Sequence, residues 1–201
     1  MGPACCAGDV TSLLDMDSSG APGRRDTDDS DHSDHSDERS DSVANSTPAV
    51  DAVRTAGIEH EVTRHGRVGS LEEAAAARGI EPRDLIKTLV VRRSEDDHVF
   101  VLVPGNRTFS WAKVRALLGT NRISMPDADT ARAVTGYERG TITPFGSATR
   151  LPVIADTHLV GRRISIGGGA HGVGLTVLGD DVIRLFEATV ADISDEETHR
   201  R

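Results

Sequence analysis

The sequence has 201 residues, which is enough for one ordinary domain and an appendage. Its formal charge of −9 is uneven: residues 1–46 hold 11 acidic and 3 basic side chains, whereas residues 47–201 are nearly neutral, with 21 acidic and 20 basic. Both cysteines, Cys5 and Cys6, lie in the acidic segment, and no apolar run has the length of a signal peptide or a membrane span. These features exclude a disulfide-stapled or membrane-embedded fold.

Residues 1–46 are predicted to be a disordered acidic tail, because they are charged, repetitive and nearly free of large apolar side chains. Such a segment buries too little apolar surface to offset the entropy that it would lose on ordering. The folded domain is expected to cover residues 47–201 and to contact no membrane. Since it has no cysteine of its own, we expect it to act in the cytoplasm.

The first half of the domain is predicted to contain two short helices followed by a β-hairpin. A helix at 47–57 begins with Thr-Pro, a capping hydroxyl followed by proline at the first helical position, and ends at a glycine. Residues 58–65 have the pattern of a strand. A Ser-x-x-Glu capping box then begins a helix over 70–79. The β-branched runs 86–93 and 98–103, joined by four polar residues, predict the hairpin.

The second half continues with an amphipathic helix over 110–118, in which Trp111, Val114, Leu117 and Leu118 are expected to face the core. The segments after it are predicted as a strand at 122–125, a helix at 128–134, an irregular stretch at 136–150, strands at 151–155, 163–167 and 174–178, and a helix at 180–187. Strands and helices mix without a strict βαβ repeat. The predicted fold is therefore α+β, with a mixed, barrel-like β-sheet and flanking helices.

Lys87 is the residue that most clearly indicates a function. Of the 23 basic residues only two are lysines, Lys87 and Lys113, and Lys87 interrupts an apolar, strand-like run. A lysine ammonium is a compact charge whose pKa depends on burial, whereas an arginine guanidinium is a fixed planar fork. Lys87 is therefore either a strand-edge lysine that extends to water or a charge retained for a site.

Two glycine-rich segments are candidates for a site built from backbone. Residues 140–146 have glycine and proline at their corners, an arrangement that can direct several N–H groups toward an anion or a carbonyl; a plain surface loop is the alternative. Residues 167–172 match G-x-G-x-x-G, but a strand pattern follows them where a dinucleotide fingerprint needs a helix. We interpret them as a hairpin loop, in which His171 is a ligand, an acid–base group or an ordinary loop residue.

The sequence contains no motif of an activated protein nucleophile or of a catalytic zinc site, and its histidines are scattered. No metal and no cofactor is predicted. If the protein is an enzyme, we expect its catalysis to come from positioning and electrostatics around Lys87 and a backbone-lined pocket.

Several short motifs, in their order and spacing, together resemble the YbaK/ProX-type aminoacyl-tRNA deacylases. They are Thr47-Pro48-Ala49, Lys87-Thr88-Leu89-Val90, Val103-Pro104-Gly105, Thr135-Gly136-Tyr137, the loop Gly140-x-x-x-Pro144-Phe145-Gly146, and Leu151-Pro152-Val153-Ile154-Ala155-Asp156. The resemblance covers roughly residues 47–193. The ordered set is far more specific than any one of its motifs.

The resemblance implies a domain that hydrolyses the ester of mischarged tRNA in trans to a synthetase, such as prolyl-tRNA synthetase. It implies that Lys87 and Gly140 are catalytic: Lys87 anchors the acceptor end of the aminoacyl-tRNA, and the backbone from Gly140 to Pro144 grips the aminoacyl group. The other substrate-binding positions that it implies are His65, Thr88, Tyr137, Thr141, Ile142, Thr143, Gly167, Gly168 and His171. In such a pocket a 2′-hydroxyl of the tRNA, a substrate side chain or water attacks the ester.

Three positions depart from the cysteinyl-tRNA(Pro) deacylase branch of this family. His65 stands where that branch has tyrosine, Gly167 where it has serine, and Gly174 where it has aspartate. The amino acid removed is therefore predicted only as a small one, of the cysteine, alanine or serine class. The alternative is a non-catalytic module of the same fold that binds an aminoacyl-tRNA end or a protein partner.

A tRNA substrate is polyanionic, so its binding depends on basic side chains that contact phosphates. Because the domain is nearly neutral, any such side chains must form a local patch. The candidates are Arg92, Arg93, Arg107, Arg122, Arg139, Arg150, Arg162 and Arg163.

Overall fold

The computed structural model of this protein describes residues 46–197, so the predicted acidic tail lies outside the described residues apart from Ser46. The helices are α1 (Pro48–Thr55), α2 (Leu71–Ala77), α3 (Trp111–Leu118), α4 (Ala128–Thr135) and α5 (Gly179–Leu185), with 3₁₀ turns at Pro82–Asp84 and Thr157–Leu159. The strands are β1 (His60–Arg64), β2 (Ile86–Ser94), β3 (Asp97–Pro104), β4 (Arg107–Phe109), β5 (Val153–Asp156), β6 (Arg163–Gly167), β7 (Val173–Leu178), β8 (Thr189–Ala191) and β9 (Ser194–Glu196). None of the described helices is long and apolar enough to cross a membrane.

The strands form three sheets. An antiparallel sheet has the order β1-β7-β6, a mixed sheet has the order β2-β3-β5-β8, and β4 pairs with β9. In the mixed sheet β2 and β3 are antiparallel, whereas β3, β5 and β8 run parallel. Within residues 46–197 the first two sheets are joined by an isolated bridge between Leu85 and Ser165 and do not close. The predicted α+β class with a mixed sheet and flanking helices is confirmed, and its barrel-like curling extends only as far as this bridge.

The central strands of the mixed sheet, β3 and β5, are buried on both faces, which explains why they are almost continuously apolar. In β3, Phe100 and Leu102 belong to the large core shared with the antiparallel sheet. Val99, Val101 and Val103 belong to a smaller core on the side of α3. Because successive strand residues point to opposite faces, this one strand contributes to both cores.

Local sequence signals set the helix starts. The Thr47 hydroxyl accepts a hydrogen bond from the Val50 N–H (3.2 Å) and donates one to the carbonyl of Gly168 (2.5 Å), so the first cap also ties α1 to the glycine-rich hairpin. Ser70 accepts from a backbone N–H in the first turn of α2 at 3.1 Å, as the capping box predicts. The predicted helix starts are confirmed, and the predicted hairpin forms as β2 and β3.

Some element predictions are wrong or incomplete. Trp111 and Leu117 do not face the core: they are 39% and 40% exposed, because α3 is short and buries only Val114 fully. The strand expected at 122–125 is reduced to an isolated bridge at Ser124. The sequence pattern does not predict β8 and β9, since strands of three residues are too short to show an alternation.

Candidate active site

A cavity of about 920 Å³ opens beside β2, where the antiparallel and mixed sheets separate after their bridge at Leu85. β2 is the outer strand of the mixed sheet, and residues 86–90 along it line the cavity. The rest of the wall comes from the β1–α2 loop and α2, from residues 125–131 at the start of α4, from the loop after α4 and from the β6–β7 loop. The volume lies within the usual range of ligand sites, and this cavity is therefore the candidate active site.

The two glycine-rich segments meet at the cavity wall. A Cβ on Gly167 would lie 2.9 Å from the carbonyl oxygen of Ile142 and 3.2 Å from that of Thr141, so a glycine is needed for the 140–144 loop to pack against the end of β6. Gly140 has a left-handed backbone with φ of +89°, which glycine adopts without strain. Gly140, Ile142 and Gly167 all line the cavity, so part of its wall is backbone.

Lys87 lines the cavity from β2, and protein groups already hold its ammonium. Nζ donates to the carbonyl oxygens of Gly105 (2.9 Å) and Arg107 (2.5 Å), which flank the turn between β3 and β4. Burial lowers the pKa of Lys87, and the carboxylates of Glu197 and Glu72 offset part of that shift. The interpretation of a lysine that simply extends to water is wrong. The ammonium has three donors, so these two bonds leave one for a ligand.

Arg78 is a second half-buried cation of the cavity, and the sequence analysis missed it. It follows α2 and donates from Nε to Nε2 of His65 (3.3 Å), and from Nη1 to Oγ of Ser165 (3.1 Å) and the carbonyl of Ile166 (3.4 Å). Burial lowers the pKa of Arg78. No sequence signal could separate it from the other arginines, because its partners are brought together only by the fold.

The two predicted histidines also line the cavity. His65 is partly buried, and its Nδ1 donates to the carbonyl of Gly66 at 2.8 Å, which leaves Nε2 as the acceptor for Arg78. His171 is exposed, and its Nε2 lies 3.5 Å from a carboxylate oxygen of Glu138. Among residues 46–197 no three His, Cys, Asp or Glu side chains are grouped as a metal site would require.

The structure does not bring every predicted site residue to the cavity. Thr88 lines it, with a buried hydroxyl that has no hydrogen-bond partner among the described residues. Tyr137 is buried elsewhere: it donates to the carbonyl of Phe145 at 2.8 Å, and burial raises its pKa to about 12. The other positions outside the lining are Thr141, Thr143, Pro144 and Gly168, all of them buried. In this structure these residues contribute to the packing of the loops behind the wall.

The cavity is more basic than the domain around it. The charged side chains in its lining are Arg67, Arg78, Lys87, Arg139 and one carboxylate, Asp127. Of the arginines predicted to contact tRNA, Arg139 therefore lies at the cavity, while Arg92, Arg93 and Arg122 line a second cleft. Arg107 donates to a serine of β9, Arg162 pairs with an aspartate of the first 3₁₀ turn, and Arg163 lies near two glutamates at β1. Arg150 is exposed.

A family comparison matches the region that holds the cavity. The family described as "Aminoacyl-tRNA editing domain" matches residues 65–185, which is more than half of the chain and includes every residue of the cavity lining. The resemblance inferred from the short motifs is thereby confirmed.

Curated relatives of the chain are proline–tRNA ligases. The chain is 29% identical to the ligase of Thermosipho melanesiensis over 55% of its own length and 19% of the ligase. It is 26% identical to the ligase of Limosilactobacillus fermentum over 73% of its own length and 26% of the ligase. The chain thus spans about a fifth to a quarter of the length of these relatives.

A solved structure extends the likeness to the fold. It is the crystal structure of a protein described as a candidate trans-editing enzyme for prolyl tRNA synthetase, and it superimposes with a TM-score of 0.67 at 25% identity. The match covers 74% of this chain and 95% of that one. The two proteins therefore share nearly the whole of the smaller one's architecture.

Proposed function

Because this chain belongs to the aminoacyl-tRNA editing domain family, we propose that it is a trans-editing hydrolase that removes a small amino acid from mischarged tRNA. The observation that carries the proposal is a cavity whose lining holds four cationic side chains, one carboxylate and a wall of glycine-rich backbone. The cations suit the phosphates of a tRNA end, and the backbone N–H groups suit an ester carbonyl. The likeness to a candidate trans-editing enzyme supports action in trans.

Lys87 and the loop from Gly140 to Pro144 act on the reacting end in this proposal. The remaining N–H of the Lys87 ammonium holds the acceptor end in place. Backbone N–H groups of the loop stabilise the negative charge that develops on the ester carbonyl oxygen. Water, assisted by the 2′-hydroxyl of the tRNA, attacks the carbonyl carbon. The ester C–O bond breaks, one proton of the attacking water passes to the leaving oxygen and restores the tRNA hydroxyl, and the other is released to solvent as the amino acid leaves as a carboxylate.

We assign the substrate to the alanine, cysteine and serine class because backbone forms part of the wall. The contact between Gly167 and the carbonyl of Ile142 is too tight to admit even a Cβ, so this wall cannot yield to a large side chain. Such a wall discriminates mainly by steric exclusion, and one methylene more or less changes binding by only about 1–3 kcal/mol. Selectivity among small amino acids is therefore modest, and His65 in place of tyrosine shifts it away from cysteine.

We place this activity in the cytoplasm, with prolyl-tRNA synthetase as the enzyme whose errors it corrects. The proline–tRNA ligases that the chain resembles carry the matching segment as part of a much longer protein. A related domain acting in trans would meet the same mischarged tRNA after the synthetase releases it. The other partner is the acceptor end of the aminoacyl-tRNA itself.

The test measures ester loss from tRNA charged with alanine, cysteine, serine, proline, leucine or phenylalanine, with enzyme in excess and spontaneous hydrolysis subtracted. Alanyl-, cysteinyl- or seryl-tRNA is expected to be hydrolysed well above the spontaneous rate, and leucyl- and phenylalanyl-tRNA are not. Preferential hydrolysis of a bulky ester would refute the proposed wall, even if the enzyme class were right.

The second candidate function is a non-catalytic module that binds the same tRNA end. It is favoured by the Lys87 ammonium, which already spends two of its three donors on protein carbonyls. This candidate predicts that the purified protein binds uncharged tRNA and protects a charged ester, or leaves it unchanged, for every amino acid in the panel. Hydrolysis of any one ester that depends on Lys87 would exclude it.

A further inference from the structure

We propose that Arg78 forms a phosphate subsite of the cavity, in which its Nη2 group binds a phosphate oxygen of the 3′-terminal nucleotide of tRNA. This assignment rests on the proposed function and adds a binding residue to the same site. Arg78 belongs to none of the motifs that carry the family resemblance. It stands just after α2, whereas Lys87 enters the cavity from β2.

Neutral groups hold the guanidinium of Arg78 in one orientation. Nε donates to Nε2 of His65, and Nη1 donates to the hydroxyl of Ser165 and the carbonyl of Ile166. These bonds use Nε and Nη1, and within residues 46–197 they are the side-chain bonds that Arg78 makes. Both N–H groups of Nη2 therefore stay available. A fork fixed in advance loses little conformational entropy when an anion binds.

Gly174 of β7 provides the space in which the guanidinium lies. A Cβ at this position would be 2.8 Å from Cζ and from Nε of Arg78 and 2.9 Å from Nη1. Because these three distances are nearly equal, the flat face of the guanidinium covers the position that a Cβ of residue 174 would occupy. Any side chain at this position would displace it. The geometry of the subsite therefore depends on two residues of different elements, one that supplies the charge and one that leaves room for it.

The charge of Arg78 has no protein counter-ion in the part of the chain that the structure describes. Burial lowers the pKa of Arg78, and no nearby carboxylate raises it. A desolvated charge of this kind is costly until it is paired, and a bound anion pairs it. In an aminoacyl-tRNA the carboxyl group of the amino acid is esterified and uncharged, so the anions near the reacting end are phosphates. The two donors of Nη2 suit phosphate oxygens.

The test compares adenosine with adenosine 5′-monophosphate, which differ by the phosphate alone. Each is titrated into the full-length protein and followed by NMR chemical shifts. The wild type is expected to bind the monophosphate about 10-fold more tightly, because a hydrogen-bonded charge pair adds roughly that factor. Arg78→Met is expected to abolish this preference while leaving the affinity for adenosine unchanged. Arg163→Met, which removes an exposed arginine of β6, is the matched control and keeps the preference.

Gly174→Ala separates the position of the charge from its presence. It keeps Arg78 but puts a methyl group where the guanidinium lies, so the preference for the monophosphate is expected to fall toward that of Arg78→Met. This variant also replaces Arg78→Met if the latter does not fold, as judged by thermal unfolding. A Gly174→Ala protein that retains the full preference would overturn the assigned geometry.

Two outcomes overturn the subsite itself. One is a wild type that binds both ligands equally, and the other is an Arg78→Met variant that loses both to the same extent, which would show a structural role only. The deacylation assay is read separately. A phosphate preference that depends on Arg78 in a protein without hydrolase activity keeps the subsite and refutes the proposed function. Deacylation by Arg78→Met with unchanged KM refutes the subsite and keeps the function.

Discussion

The two lysines of this chain lie in regions that treat a positive charge in opposite ways. Lys113, on α3 beside the β4–β9 pair, lies 3.0 Å from carboxylate oxygens of both Asp192 and Asp195, and the hydrogen bonds that it donates to Asp195 and Asp192 raise its pKa. Lys87, at the cavity, is hydrogen-bonded to neutral carbonyls instead, and burial lowers its pKa.

This difference in hydrogen-bond partners suggests different roles for the two lysines: we infer that the charge of Lys113 stabilises the fold and that the charge of Lys87 is available to a ligand. At the β4–β9 edge Lys113 lies against two carboxylates, which offset its charge within the protein. At the cavity Lys87 and Arg78 are held by carbonyls, a hydroxyl and an imidazole, which orient the cations without neutralising them. Such oriented, unneutralised groups are a means by which proteins stabilise a bound or developing negative charge. We therefore propose that the edge serves stability and that the cavity serves binding and catalysis.

The largest expected effect comes from replacing each lysine in turn. Lys87→Ala is expected to reduce deacylation about 100-fold, which corresponds to the ~3 kcal/mol that a positioned charge supplies at a developing oxyanion. Lys87→Arg is expected to fail as well, because a planar fork does not replace a compact ammonium between two carbonyls. Lys113→Ala is the matched control and keeps the activity. Single-turnover ester loss measures all three variants, and wild-type turnover in Lys87→Ala would remove Lys87 from the site.

The pH dependence of stability sharpens the same comparison. The pKa of Lys113 is raised in the folded protein, so its stabilising contribution is complete below the ordinary value of 10.5 and is lost as the pH rises through the folded value. The pKa of Lys87 is lowered, so its charged form opposes folding at neutral pH, and this penalty declines as the pH rises from the folded value to the ordinary value of 10.5. As the pH rises above 10.5 and through the folded value, we expect Lys113→Ala to lose its disadvantage relative to wild type. Denaturant unfolding over this pH range measures the free energy of unfolding of both proteins. A difference between them that does not change with pH would contradict the ion pairs assigned to Lys113.

Asp156 is a buried carboxylate next to the β4–β9 pair, so its replacement tests whether that region serves stability. It is fully buried and accepts hydrogen bonds from the Ser194 hydroxyl (2.6 Å), the Ile193 N–H (3.3 Å) and the His158 N–H (2.9 Å). Asp156→Asn is expected to lower the free energy of unfolding by about 1–3 kcal/mol, because buried acceptors or donors lose their partners. Deacylation by the folded fraction is expected to remain. A loss of activity without a loss of stability would place Asp156 in the site instead.

The pKa of Asp156 also predicts how the stability difference between wild type and Asp156→Asn changes at acid pH. Burial raises the pKa of Asp156, but hydrogen bonds from Ser194 and His158 outweigh it, so the folded pKa is below the ordinary value of 3.8. Its contribution to stability is therefore present above 3.8 and is lost as the pH falls through the folded value. The stability difference between wild type and Asp156→Asn should shrink in that window. Acid titration of both proteins checks it.

A smaller effect is expected from the backbone wall of the cavity. Gly167→Ala puts a Cβ 2.9 Å from the carbonyl of Ile142 and so pushes the 140–144 loop away from β6. We expect deacylation to fall about 10-fold, since small misplacements of positioning groups are costly. Gly69→Ala is the control, because its Cβ would meet an ordinary contact at 3.5 Å outside the cavity. Equal activity of the two variants would contradict a role for the wall.

The smallest effect is expected from deleting residues 1–45. This segment carries most of the acidic excess of the chain, and its negative charge repels tRNA. The melting temperature is expected to stay unchanged, and activity to be equal or higher at low salt. Thermal unfolding and ester loss at two salt concentrations measure the effect. A clear drop in melting temperature would show that the segment belongs to the fold.

The sequence predicts those elements whose cause is local. The Thr47 and Ser70 caps and the β-branched hairpin follow from neighbouring residues, and the structure confirms them. Trp111 was expected inside on helical periodicity alone, but whether a face is covered depends on elements that are distant in sequence. β8 and β9 exist because they pair with β5 and β4, and three residues carry no periodicity of their own.

The residues of the candidate site also divide into those that the sequence predicts and those that only the fold reveals. The motif residues Lys87, Gly140 and Gly167 lie at one cavity, as the spacing of the motifs implies. Tyr137, from an equally clear motif, is buried behind the wall, because a motif records that a residue is needed and not whether it contacts a ligand. Arg78 has no motif at all, since its position depends on Gly174, 96 positions later in the sequence.

The most direct test of this account is the salt dependence with which an uncharged RNA hairpin ending in CCA binds the protein. Each phosphate contact contributes a slope of about 0.7 to 1 in a plot of log Kd against log salt concentration. The account predicts that Lys87→Ala and Arg78→Met each reduce the wild-type slope by about that amount, whereas Lys113→Ala leaves it unchanged. A slope that Lys113→Ala reduces as much as Lys87→Ala, or a wild-type affinity that does not depend on salt, would contradict it.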